Sequence, residues 1–115
     1  MKNILILKLS IFIVPLCSFS QTNQEKTSKY LVSILRDSLN LSENQVQDIY
    51  KINLTLEEQK TNVRSMEDLI DNKRKKVQKI ENSRDSLYAS VLNLKQFEAY
   101  KNRKSSLLNV VMPAN

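Results

Sequence analysis

Residues 43–91 read ENQVQDIYKINLTLEEQKTNVRSMEDLIDNKRKKVQKIENSRDSLYASV, and the spacing of apolar residues in this stretch decides the fold. One column at seven-residue intervals holds Ile49, Leu56, Val63, Ile70, Val77, Arg84 and Val91; a second holds Ile52, Gln59, Met66, Lys73, Ile80 and Leu87. That period belongs to a helix. No Pro or Gly falls between residues 16 and 112, so nothing in the stretch breaks it outright. A continuous helix over 43–91 would be roughly 73 Å long and could cover its stripe only against another chain, as a coiled coil. The first column suits that rod, since Arg84 is its single polar member. The second does not: Gln59 and Lys73 are polar and flank the middle, where a bend would sit. Ser65-Met66-Glu67-Asp68 has the form of a helix start, with Ser65 as cap and an acid three residues on. Asp71-Asn72 offers a second turn. The expected arrangement is a hairpin bent within residues 63–73, with the rod as its alternative.

Outward from this stretch the pattern stays helical. Tyr30, Leu31, Ile34, Leu35 and Ser38 mark a short amphipathic helix from Thr27, preceded by a flexible polar lead over residues 21–26. Ser42 is placed to cap the long helix, and Glu43 puts a negative charge in its first turn, where the helix dipole favours it. Asn93 can cap a last helix over 94–108, which uses Leu94, Phe97, Tyr100, Leu107 and Leu108 as its apolar side. Residues 109–115, with Pro113, read as a disordered tail. The fold class is all-α: one helical domain over 27–108, a long hairpin with short flanking helices. Tyr50, Tyr88, Phe97, Tyr100 and Met66 are expected in its core or in contacts between copies.

Composition narrows the chemistry. The chain has 115 residues, 18 Lys plus Arg, 12 Asp plus Glu, no His, no Gly, no Trp and one Cys. Without His it lacks the commonest metal ligand and general base. Without Gly it cannot build a phosphate-cradling loop. Glu57 and Glu58 are neighbours in sequence but diverge by about 100° around a helix, so they do not converge as an acid/base pair. No catalytic residue, metal or cofactor is expected; Asp68 and Asp71 would hold a hard cation only weakly.

Met1 to Ser20 has the form of an export signal: Lys2, the apolar runs Ile4–Leu7 and Leu9–Leu16 broken by Lys8 and Pro15, then Ser18-Phe19-Ser20 as a small-x-small cleavage site. Cleavage after Ser20 would direct the protein to the periplasm without stable membrane insertion. It would also remove Cys17, whose surroundings make a poor lipidation signal because Leu16 is too large before it. The remaining 95 residues carry 16 basic and 12 acidic groups, a net +4. That excess is too small for a nucleic-acid footprint.

The two cap sites are alike. Leu41-Ser42-Glu43-Asn44-Gln45 and Leu92-Asn93-Leu94-Lys95-Gln96 both read Leu, a capping residue, two variable residues and Gln, and each opens a helix. The pair resembles the Leu-Thr-x-x-Gln motif that occurs twice in the Spy/CpxP family of periplasmic proteins, with Ser42 and Asn93 where Thr is usual. Leu87 to Leu92, leading into the second copy, also looks like family members. In a hairpin the two copies would meet at its open end, where Gln45 and Gln96 would pin neighbouring loop backbone. The resemblance implies a thin, cradle-like homodimer that acts as an ATP-independent chaperone for unfolded or misfolded envelope proteins, or that modulates envelope stress through a sensor kinase domain. Two basic runs are the candidate client-binding groups: Lys73, Arg74, Lys75, Lys76 and Lys79, then Lys101, Arg103 and Lys104. The rival functions are a coiled-coil scaffold of the envelope and a dedicated regulator of one sensor protein.

Overall fold

A computed structural model of the chain describes residues 21–109. The export signal with Cys17, and residues 110–115 of the tail, lie outside the described residues. Among the described residues five helices follow one another: α1 (Asn23–Leu39), α2 (Glu43–Ser65), α3 (Ile70–Asn82), α4 (Arg84–Ala89) and α5 (Leu94–Asn109). The described residues contain no strand. The protein is all-α, and the long stretch is a hairpin: α2 descends, turns at 66–69, and α3 with α4 returns along it.

Each helix begins and ends for a local reason. Helix α1 starts four residues earlier than the sequence suggested. Thr22 is its cap, its hydroxyl accepting from the Glu25 amide while the Glu25 carboxylate accepts from the Thr22 amide. Gln24 then donates to Thr61 Oγ1 at 2.9 Å, so within the expected flexible lead over 21–26, residues 23–26 are instead the first turn of a helix fastened to α2. Asn40 ends α1 with φ 56° and ψ 56°, the left-handed conformation that most helices assign to glycine. Asn tolerates it better than other residues with a Cβ, and among the described residues it is the one position with positive φ. That is how a chain without glycine closes this turn. The tip needs no positive φ at all, because Met66 and Leu69 are both extended.

The tip differs in detail from expectation. Ser65 is the last residue of α2 and caps nothing; Leu69 occupies the cap position of α3 without a side-chain bond. Asp68 takes over, its Oδ1 accepting from the Leu69 amide at 2.7 Å and from Asn72 Nδ2 at 3.0 Å. Asp71 and Asn72 lie inside α3 rather than in a turn. The returning arm is jogged at Ser83, whose hydroxyl bonds back to the Ile80 carbonyl. Helix α5 continues through Asn109, one residue past the expected boundary.

The core gathers at the open end of the hairpin, where α1 and α5 cover it. Leu31, Val32, Leu35, Leu39, Leu41, Ile49, Tyr88, Leu92, Tyr100, Leu107 and Leu108 form one buried cluster. In α1 the inward column is Ser28, Leu31, Val32, Leu35 and Leu39; Tyr30 is exposed. Toward the tip the cover thins. Helix α3 contains no buried residue, since it has α2 on one side and no further layer. The first seven-residue column is therefore core only in part: Ile49, Leu56, Val63 and Arg84 are buried, whereas Ile70 is 65% exposed. Met66, expected inside, is half exposed in the turn.

Candidate functional site

The bend brings the two motif copies together. Leu41 and Leu92 are both buried in the core. Ser42 caps α2 by accepting from the Gln45 amide, and Gln45 Oε1 accepts from the Ser42 amide in return. Asn93 and Gln96 repeat this at the start of α5: the Gln96 amide donates to Asn93 Oδ1, and the Asn93 amide donates to Gln96 Oε1. The capping boxes then interlock. Gln45 Nε2 donates to Gln96 Oε1 at 2.7 Å, and Gln96 Nε2 donates to Gln45 Oε1 at 3.0 Å. Gln45 Nε2 also reaches the Val91 carbonyl at 3.1 Å, and Gln96 Nε2 reaches the Leu39 carbonyl at 3.3 Å. Each carboxamide thus closes its own helix start, its partner's side chain and a backbone carbonyl of the opposite loop. Only an amide, with donor and acceptor on one planar group, can do all three.

A second constellation lies midway along the hairpin and was not foreseen. Asn53, Lys60 and Arg84 are fully or almost fully buried. Arg84 Nη1 donates to Asn53 Oδ1 at 2.7 Å and to the Tyr88 hydroxyl at 2.8 Å. The Tyr88 hydroxyl itself donates to Asn53 Oδ1. On its other side the guanidinium forks onto Glu81, with Nε to Oε2 at 2.5 Å and Nη2 to Oε1 at 3.1 Å. Lys60 Nζ joins Glu81 at 3.0 Å and Glu57 at 2.9 Å. Two cations face two carboxylates, which is the condition for burying any of them. Burial would lower the Arg84 pKa, but Glu81 and Tyr88 outweigh it and raise it. Burial likewise opposes ionisation of Glu81, yet Arg84 and Lys60 hold its carboxyl below the usual range. Burial pushes the Tyr88 hydroxyl up to about 12, so it stays protonated at neutral pH. Asn53 Nδ2 is buried with no hydrogen-bond partner among the described residues. The sequence held a signal for this network: Asn53 and Lys60 each follow an apolar residue of the first column by four and precede the next by three. Such positions point inward, whatever side chain they carry.

The second basic run is used within the fold. Arg103 Nη1 donates to the Ser38 carbonyl at 2.8 Å, and Lys101 lies over the Phe97 ring with Nζ 5.5 Å from its centre. Lys104 Nζ meets Asp85 at 2.8 Å, and the other Asp85 oxygen accepts from the Tyr100 hydroxyl at 2.8 Å. Burial would raise the Asp85 pKa, but Lys104 and Tyr100 lower it. Burial first, then Asp85, raise the Tyr100 pKa. Tyr100 is buried and stacks tilted against Tyr88, with centroids 5.0 Å apart.

The first basic run stands on the surface of α3. Lys73 Nζ donates to the Arg64 carbonyl at 3.0 Å and so caps the end of α2. Lys76 Nζ pairs with Asp68 at 3.1 Å. Hydrogen bonds from Asn72, the Leu69 amide and Lys76 lower the Asp68 carboxyl to about 2. Arg74 lies 3.9 Å from Asp71, a loose and exposed pair. Lys75 and Lys79 are exposed and make no ion pair among the described residues.

Among the described residues no three Cys, Asp or Glu side chains converge to hold a metal ion, and no helix is long and apolar enough to cross a membrane. Comparison with known proteins finds no matching family model, no matching curated protein and no matching solved structure.

Proposed function

We propose that the protein is an ATP-independent chaperone or stress modulator of the Spy/CpxP kind, which holds unfolded or misfolded proteins of the periplasm by noncovalent contact. The observation that carries this reading is the reciprocal Gln45–Gln96 pair. Two separate pentapeptides of one pattern, about fifty residues apart, form a single interlocked clasp, as expected if they are copies of one motif and not chance matches. The thin cover over α3 supports it further, because a client-holding surface needs accessible apolar groups beside charge. The half-covered Ile80, farther along the returning arm from the turn, also suits a homodimer, in which a second copy supplies the missing layer. A continuous scaffold rod does not fit a chain that turns back on itself at 66–69.

The test mixes the purified protein with a chemically unfolded client and follows light scattering without ATP. Suppression of aggregation at near-stoichiometric ratio, weakened by salt, is the expected result. Absence of suppression with several clients would overturn the chaperone reading in favour of a regulator with one dedicated partner.

A further inference from the structure

The hairpin tip combines two features. First, three of the six large apolar side chains that are exposed among the described residues lie within five consecutive positions: Met66 at 50%, Leu69 at 72% and Ile70 at 65%. Met66 and Leu69 stand at the turn itself, and Ile70 opens α3. Second, a groove of about 560 Å³ opens beside them between the end of α2 and the flank of α3. Ile70 and Val77 form its apolar part, and Arg64, Lys73, Arg74 and Lys75 its polar part; no carboxylate lines it. From residue 64 to 79 six cations stand against three carboxylates, and Asp68 is already engaged by Lys76.

We infer that this tip docks on an anionic lipid bilayer, with Met66, Leu69 and Ile70 entering the interface and the groove cations meeting headgroup phosphates. Charge complementarity selects an anionic partner over a second copy of the chain, which would bring the same positive charge against it. Exposure favours a bilayer over a peptide: Met66 and Leu69 are 50% and 72% exposed and lie outside the groove, so a soft apolar surface can take them up where a segment seated in the groove would leave them in water. Guanidinium groups such as Arg64 and Arg74 match phosphate oxygens in pairs. The acyl region accepts the apolar side chains, and anionic lipid attracts each nearby cation. The inference is independent of client binding and stands whether or not the protein suppresses aggregation.

The chain contains no Trp, so a single introduced one reports its own surroundings. Leu69→Trp protein is mixed with vesicles of phosphatidylcholine and phosphatidylglycerol in about a 2:1 ratio. Its emission should shift to the blue, and roughly 0.5 M salt should reverse the shift. Vesicles of phosphatidylcholine alone should leave it unmoved. Leu94→Trp is the positional control, because Leu94 is 79% exposed but lies beside the clasp at the opposite end of the hairpin. Its emission should stay unchanged. Adding Arg74→Gln and Lys75→Gln to the tip reporter should raise the lipid needed for half the shift by roughly 10- to 30-fold. Met66→Trp serves as a second reporter if Leu69→Trp lowers the helical circular dichroism. Failure of both tip reporters to shift, an equal shift with neutral vesicles, or an equal shift at Leu94 would each overturn the proposal. An equal shift with polyglutamate would overturn it in favour of an acidic protein partner.

Discussion

Gln45→Glu separates two roles that one side chain plays at once. In a capping box either Gln or Glu serves, since only the side-chain oxygen is needed. That bond, from the Ser42 amide at 3.0 Å, survives the change. The donor half does not. The bonds from Gln45 Nε2 to Gln96 Oε1 at 2.7 Å and to the Val91 carbonyl at 3.1 Å are lost, and a carboxylate oxygen then faces two carbonyl oxygens. Two half-buried hydrogen bonds contribute about 2 kcal/mol together. A negative charge in the first turn of α2 returns about 0.5 kcal/mol through the helix dipole. The repulsion between oxygens roughly cancels that gain, so the net loss is about 1.5–2.5 kcal/mol. For a domain of this size that lowers the melting temperature by roughly 6–20 °C. Melting followed by circular dichroism reads it directly. The pH dependence supplies an independent check. The introduced carboxyl should have a folded pKa above its unfolded value, because its protonated form can donate to the Gln96 or Val91 oxygen and its charged form cannot. Its contribution is then present below the unfolded pKa of about 4.3 and lost as pH rises through the folded pKa. The gap between variant and wild type should therefore be small at pH 4 and wide at pH 7. A variant within about 0.5 kcal/mol of wild type at neutral pH would mean that Gln45 is a helix cap and that its meeting with Gln96 adds nothing.

Four further outcomes are expected. Arg84→Ala leaves the Glu81 carboxylate in a mostly enclosed site with Lys60 as its remaining strong partner, and should cost about 3–5 kcal/mol in urea unfolding. Arg84→Ala combined with Glu81→Ala should cost clearly less than the two singles together; strict additivity would show that the pair does not act as a unit. Asp68, Glu81 and Asp85 all have folded pKa values below their usual range, so their stabilisation is present above pH 5 and lost as pH falls toward 2. A melting temperature that is flat from pH 7 to pH 2 would contradict those pairings. If a second copy covers the arm, melting should move to lower temperature on hundredfold dilution, and an unmoved transition would argue for a monomer.

Much of this architecture was legible because helix period is written in side chains at fixed intervals. Ile49, Leu56 and Val63 announced one arm, Ser42 and Asn93 announced two helix starts, and polar Gln59 and Lys73 bracketed the bend. The clasp was legible for a different reason: a repeated cap with Gln three positions on defines a local geometry that tertiary packing has little room to change. The misses share a cause as well. Reading apolar residues as core hides Asn53, Lys60 and Arg84, whose burial depends on partners across the hairpin that no local window contains. Residue type likewise placed Met66 inside, where the turn puts it outside. Thr22 with Glu25 is a capping box in plain view, and the polar composition of residues 21–26 masked it.

The uneven cover along the hairpin has a consequence for the order in which the molecule opens. Amides of α1, α5 and the start of α2 sit over the buried cluster around Leu35, Tyr88 and Tyr100, so their exchange with solvent deuterium requires nearly complete unfolding. Helix α3 buries no residue of its own, and its opening breaks the Glu81 contacts with Lys60 and Arg84 and the Lys73 cap on α2. Its amides should exchange orders of magnitude faster, through a partial opening that leaves the clasp closed. In each such opening Leu56 and Val63 come into water for as long as α3 is away. Such an opening would bare only the α3-facing side of the far half of α2, since Gln24 keeps the start of α1 fastened to Thr61 on that half.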